Sequence, residues 1–326
     1  MRTFLQVLIN DYKRTMPRLM TVTIITIVTL TTMVLAVYIT GLQQVKGHVA
    51  YITNHSQDVL IKNSKHLDIT VLKKKPPYSD LMKQKYDAFI TVDKEGGYQI
   101  ESLRNQDFKN MLLFLLKNPK ADIKAISSER GVGVNIIGFM MMFFLLISFS
   151  NLFGFAEDKE QGQLKRITGA PVSFLGYLAA HCIYCLTILV PEYLLIVGMK
   201  LCGVNTGFSP AEYAALMMTL AFLGISVALF LNTIIPKPDN ALMLGNSVII
   251  LTSVLSGSFY SFSKNNPLLE HILVFIPQKQ FMDFAEYLQN GKQWDHIGSL
   301  LYIIVFSMTL FGLSWMLLYH NYVKKV

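Results

Sequence analysis

The chain has 326 residues, of which 52% are hydrophobic and only 15% charged, with a formal net charge of +8. Soluble domains carry roughly 25% charged residues, so the composition excludes an ordinary soluble enzyme and fits an integral membrane protein. The three cysteines imply no structural disulfide.

In chain order, the first element is a basic amphipathic helix over residues 1–18. Leu5, Leu8, Ile9, Tyr12 and Met16 recur at helical spacing, with Arg2, Asn10, Lys13 and Arg14 between them. Such a helix lies in the headgroup plane, or serves as a simple anchoring flank to the span that follows. The apolar run of residues 19–42 is too long for the core of a cleavable signal peptide, ~7–15 residues, and no Ala-x-Ala-like site follows it.

Residues 43–131 change character: polar, lysine-rich and patterned for strands. Asp58–Ile61 is a short apolar stretch, Leu67–Val71 alternates, and Tyr86–Val92 reads as a strand. Lys94–Gly97 supplies a turn and Tyr98–Glu101 the returning strand. From Asp107 to Asn118, Phe108, Met111, Leu112, Leu115 and Leu116 share one helical face. A small α+β domain is the expectation. Its basic patches, such as Lys73–Lys75, either face anionic polymers or are simply solvated.

A membrane span needs ~20 apolar residues, because each rises ~1.5 Å through a ~30 Å hydrocarbon layer. Charge-poor segments of that length run Leu19–Leu42, Val132–Phe155, Val172–Met199, Tyr213–Ile235, Ala241–Phe262 and Ile297–Tyr319. The predicted fold class is therefore an all-α polytopic membrane protein with six transmembrane helices and a small α+β extracellular domain between helices 1 and 2. Residues 132–326 hold the last five spans. The short flanks set the orientation. With the N-terminus inside, Arg2, Lys13, Arg14, Arg18, Lys159, Lys165, Arg166, Lys237, Lys324 and Lys325 are cytoplasmic, and the short outside loops keep only Lys200, Lys264, Lys279 and Lys292.

Four features in and between the spans carry weight. Pro191 removes a backbone donor and kinks the third span, and Glu192 beside it is an acid within apolar surroundings. Glu192 is a candidate for the substrate pathway, or else a structural partner of Lys200 or an interfacial acid. The fifth span carries Asn246, Ser247, Thr252, Ser253, Ser256 and Ser258, a polar set that either lines a path or packs closely; Asn246, Ser253 and Ser256 are pathway candidates. His181, Cys182 and Cys185 lie within reach of one another but lack a fourth ligand, so packing of small thiols is preferred to a metal site. In residues 266–295, Pro277 breaks an amphipathic segment, and two short helical pieces are expected before the last span.

No catalytic constellation is present. There is no Gly-x-x-x-x-Gly-Lys-(Ser/Thr) phosphate loop, since Gly291-Lys292 is followed by Gln293, and there is no His-Glu-x-x-His or Gly-x-Ser-x-Gly.

The most telling segment is the polar island Ala156–Ser173 between the second and third spans. An acidic start (Glu157, Glu160), a central Gly162, a basic patch (Leu164, Lys165, Arg166) and a Pro171-x-Ser173 restart predict a short helix on the cytoplasmic surface. This island resembles the coupling loop of ABC-2-type exporter permeases, Glu-x-Gly-x-Leu-(Lys/Arg)-Arg followed by Pro-x-Ser. Gln163 stands where that family often has Thr. The resemblance extends to the amphipathic "elbow" helix, the insert after the first span and the segment before the last one. It implies a bacterial multi-pass cell-membrane permease that is not itself an enzyme. Glu157, Glu160, Gly162, Leu164, Lys165, Arg166 and Pro171 would couple it to separate ABC ATPase subunits, which bind the ATP and Mg. A second permease subunit, identical or paralogous, would complete the pathway; no nucleic-acid partner is implied. A phage-infection-protein-like receptor or secretion component is the alternative, although the inserts of that type are much longer.

Overall fold

The computed structural model describes residues 2–43, 47–53, 67–83, 85–92, 98–103, 106–117, 130–169, 173–259 and 271–323. It divides the chain into a helical unit, residues 1–38 with 130–326, and a smaller unit, residues 39–129.

In the helical unit, α1 (Arg2–Thr15) leads through a single 3-10 turn, Met16–Arg18, into α2 (Leu19–Gln43). Thr29 and Thr31 of α2 bond their hydroxyls to the carbonyls of Ile25 and Ile27, which satisfies them inside the helix and makes a threonine-rich run compatible with lipid. The second long helix is α5 (Val132–Ser150), extended after a short break by α6 (Phe153–Glu160); α7 (Gln163–Gly169) follows. The third segment is split as Pro191 requires. α8 (Phe174–Ile188) stops at Leu189, and α9 (Val190–Leu201) restarts with the proline in its first turn, where a missing N–H costs nothing. Then come α10 (Pro210–Ile234), opened by a Ser209/Glu212 capping box, and α11 (Pro238–Leu255). α12 (Pro277–Gln289) and α13 (Ile297–Leu318) close the unit.

Among the described residues, five helical stretches are long and apolar enough to cross a membrane: Phe4–Thr40, Val132–Glu160, Phe174–Leu201, Pro210–Ile234 and Gln293–Tyr322. The remaining predicted segment, the fifth, is helical, but α11 is only 18 residues long, and Asp239, Asn240 and Asn246 dilute its apolarity below that of the other five. It also stops earlier than the apolar run to Phe262 suggests. Gly257 adopts a positive φ of 83°, and the Ser256 and Ser258 hydroxyls both donate to Ser253 O, which ends the helix; residues 260–262 lie outside the described residues. Of the segment before the last span, α12 with a 3-10 turn at Gln293–His296 is seen, and residues 271–273 end a helical turn ahead of Pro277. Asn266-Pro267 lies outside the described residues.

The core of the unit is built around α5, which packs on α10, α11 and α12, while α10 also lies along α13. The most apolar windows of α5 and α10 are 67% and 56% buried, against 17% for the first and last spans, so α5 and α10 are interior and α2 and α13 peripheral. Close approach at α5 depends on missing side chains. A Cβ on Gly138 would lie 2.3 Å from Ser258 O, and one on Gly245 of α11 would lie 2.1 Å from the Phe149 ring. α12 is tied to its neighbours by polar contacts: Val134 N donates to Gln289 Oε1 (2.9 Å), and Gln278 Nε2 donates to Thr252 Oγ1 (2.8 Å).

The smaller unit is a four-stranded sheet, order β2-β1-β3-β4, made of β1 (Gly47–Ile52), β2 (Leu67–Leu72), β3 (Ala88–Val92) and β4 (Tyr98–Ser102). β1 runs parallel to β2 and β3, and β3 and β4 form the anticipated antiparallel pair, with Ile90 opposite Ile100. α4 (Gln106–Lys117) covers one face through Phe108, Leu112, Leu115 and Leu116 against Val49, Tyr51 and Ile90. The short helix α3 (Ser79–Met82) brings Leu81 to Ala50 and Phe89 on the other face. The central strand β1 is absent from the sequence reading. Val49, Ala50 and Tyr51 are all buried because both faces are covered, so β1 lacks the alternation that reveals a half-exposed strand. The stretch Asp58–Ile61 and the turn Lys94–Gly97 lie outside the described residues.

Candidate functional site

The polar island folds as the last turn of α6, a two-residue link and α7. Gly162 in the link has φ +69°, a conformation that favours glycine and lets the chain reverse between two short helices. Leu164 is fully buried and roots α7, whereas Lys165 and Arg166 on the same helix are exposed, as is Glu160. Pro171 lies outside the described residues. Ser173 then caps α8, its hydroxyl accepting from Gly176 N (3.3 Å). The coupling candidates Glu157, Glu160, Gly162, Leu164, Lys165 and Arg166 thus share one end of the unit.

The three residues Glu157-Asp158-Lys159 each hold a different part of the structure. Glu157 Oε1 pairs with Arg18 at 2.9 Å, and the Arg18 guanidinium also lies 3.7 Å over the Phe153 ring. Asp158 Oδ1 pairs with Arg14 of α1 at 2.7 Å, while its Oδ2 accepts from Tyr177 OH of α8 at 2.7 Å. Arg14 also donates to Gly154 O (3.2 Å). Lys159 turns the other way: Nζ donates to Asn232 O, Thr233 O and Ile235 O at 2.6, 2.7 and 2.9 Å, at the end of α10.

The seam between α1 and α8 continues this network. His181 Nδ1 lies 2.7 Å from Asp11 Oδ2, with the two side chains 1% and 3% exposed, and the Tyr177 ring meets His181 edge-on at 4.6 Å. Tyr12 OH donates to Thr187 Oγ1 (2.5 Å), and the Thr15 and Tyr184 hydroxyls bond each other. Buried charged and polar groups of this kind are tolerated only when neighbours replace the water they have lost. His181 thus has an acid as its polar neighbour and sits at a helix junction. The sequence reading missed Asp11, Arg14, Asp158, Lys159, Tyr177 and His181 as a group; the visible signal was Asp11, an acid set within a basic amphipathic helix.

The pathway candidates fall in two places. Asn246, Ser253 and Ser256 belong to α11 and its end, which packs on α5, α10 and α12. Ser253 and Ser256 are buried (0% and 1% exposed), Ser256 bonds Ser253 O at 2.6 Å, and Asn246 is half-buried with no hydrogen-bond partner for its Oδ1 among the described residues. Glu192 lies on α9, beside α8 and α10; it is fully buried, and neither carboxylate oxygen has a hydrogen-bond partner among the described residues. Lys200 does not serve it: its ammonium donates to Phe208 O at 2.8 Å.

Several long apolar helices around a packed core, with a short surface helix α7 whose preceding turn is tied by charged residues to α1, α8 and α10, define a polytopic membrane protein. Residues 49–316 match the family model described as ABC-2 family transporter protein, and the chain belongs to that family. The chain is similar to the linearmycin resistance permease protein LnrN of Bacillus subtilis (strain 168), 24% identical over 179 residues; the match covers 54% of this chain and 46% of that relative, less than half its length.

Proposed function

We propose that the chain is the membrane-spanning subunit of an ATP-driven exporter in the bacterial cell membrane. Two such subunits form the pathway, and separate ABC ATPase chains, carrying the ATP and Mg, dock on α7. The observation that carries this reading is the build of α7. It presents Lys165 and Arg166 outward on a helix rooted by Leu164, while the turn of α6 before it holds α1, α8 and α10 through Glu157, Asp158 and Lys159. A partner that moves α7 therefore pulls on three helices. The peripheral, apolar faces of α2 and α13 support lipid or a second subunit as their neighbour. With both termini inside, the sheet of residues 47–102 lies outside the cell, in keeping with the Lys/Arg bias of the short loops. The likeness to a resistance permease supports a toxic compound as cargo, ahead of a cell-envelope precursor.

The test is charge reversal of Lys165 and Arg166 combined with Gly162→Pro. Proline cannot take the positive φ of Gly162. Substrate-stimulated ATP hydrolysis by the purified complex should be abolished, with membrane insertion intact. Normal coupled hydrolysis in that variant would remove α7 as the docking element.

A further inference from the structure

We propose that Lys159 is a positioning residue that carries the movement of α7 to the corner between α10 and α11; this rests on the reading of α7 as the ATPase docking element. The corner has an unusual need for a cation. α10 ends at Ile234, Ile235 is extended, and the chain continues Pro236-Lys237-Pro238 into α11. Asn232 O would take its helical hydrogen bond from residue 236, but Pro236 has no N–H to give. Thr233 O and Ile235 O are likewise beyond the helical ladder. An ammonium has three protons, and Lys159 aims them at these three carbonyls, at 2.6, 2.7 and 2.9 Å, while its charge meets the negative end of the α10 dipole.

The contact is a rigid one for a lysine, because all of its donors are used and the residue is half-buried. It is also placed for transmission. Lys159 lies three residues before Gly162, in the last turn of α6 at the root of α7, and the corner it grips opens directly into α11. That helix carries Asn246 and Ser253, with Ser256 at its end, and it packs on the interior helix α5. Asp158, the preceding residue, holds α1 and α8 through Arg14 and Tyr177. One turn of helix thus divides a pull on α7 between two sets of helices, and Lys159 is the branch toward α10 and α11.

The experiment uses the full chain in complex with the ABC ATPase that co-purifies with it, on a background free of native cysteines. An environment-sensitive fluorophore is placed at Ile234, which is 52% exposed at the end of α10, or at Gln163 at the start of α7. The complex is trapped with ATP and vanadate. In the otherwise unmodified chain both reporters should change. In Lys159→Met the change at Ile234 should fall at least fivefold while that at Gln163 persists, and Lys159→Arg, which still offers several donors, should recover at least half of it. The persisting Gln163 signal shows that the variant is folded and docked. An undiminished change at Ile234 in Lys159→Met overturns the inference, as does loss at both reporters or silence at Ile234 in Lys159→Arg. No change at either reporter without the Lys159 substitution refutes instead the docking role of α7 itself.

Discussion

Replacing Asp158 by alanine tests whether the junction of α1, α6 and α8 is held by its charges. Tyr177 is 2% exposed, and without Asp158 its hydroxyl loses the acceptor at 2.7 Å. A buried donor left unsatisfied costs about 1–3 kcal/mol. Arg14 loses a partner at 2.7 Å, but its side chain is 28% exposed and it retains Gly154 O. Its loss is therefore about 1 kcal/mol, well below the roughly 3–5 kcal/mol of a fully buried unpaired charge. Asp158→Ala should cost about 2–4 kcal/mol in total, read by unfolding in mixed detergent micelles. Tyr177→Phe removes the stranded hydroxyl, so Asp158→Ala with Tyr177→Phe should cost less than the sum of the single changes, by about 1–2 kcal/mol. Strict additivity, or a loss below about 0.5 kcal/mol for Asp158→Ala, would refute the reasoning, since a loss that small is typical of a surface substitution.

Two further outcomes follow from the structure. A cysteine at Ser79, exposed at the start of α3, should react on intact cells with a membrane-impermeant thiol reagent, and one at Gln163 should not; labelling of Gln163 from outside reverses the topology. Because Glu192 is buried without a hydrogen-bond partner among the described residues and Lys200 is committed to Phe208 O, Glu192→Gln should leave the melting temperature unchanged or raised, and adding Lys200→Met should rescue nothing. Export or resistance should fall in Glu192→Gln cells at equal expression, and normal export there removes Glu192 from the pathway.

Elements set by local rules were readable in advance. The long apolar runs give helices because only a helix satisfies its own backbone in lipid. Pro191 splits the third segment, Ser173 caps α8, and the β3–β4 pair follows from alternation around Lys94–Gly97. The centre of β1 was not readable, because Val49, Ala50 and Tyr51 are covered on both faces and leave no alternation to detect. Nor was the early stop of α11, which depends on two hydroxyls returning to one carbonyl, Ser253 O.

The candidate site divides in the same way. The island's acidic residues, its central glycine and the Leu164-Lys165-Arg166 run are contiguous, so the sequence alone marks the segment as a short polar helix between two spans. What that helix is fastened to is decided by contacts far apart in the chain: Lys159 reaches Thr233, 74 positions away, and Arg14 reaches Gly154, 140 positions away. No local pattern encodes such pairs, because Lys159 looks like any lysine flanking a span until Pro236 strips a carbonyl of its donor nearby in space. Glu192 shows the converse. The sequence marks a carboxylate in an apolar run, and the tertiary structure decides that Lys200 spends its charge on Phe208 O, while the acid has no hydrogen-bond partner among the described residues. Composition and periodicity determined the membrane class and most of the helices, since those depend on each segment's own solvation. The partners of the buried charges were decided only when the helices packed, since pairing depends on which distant groups share the same volume from which water is excluded.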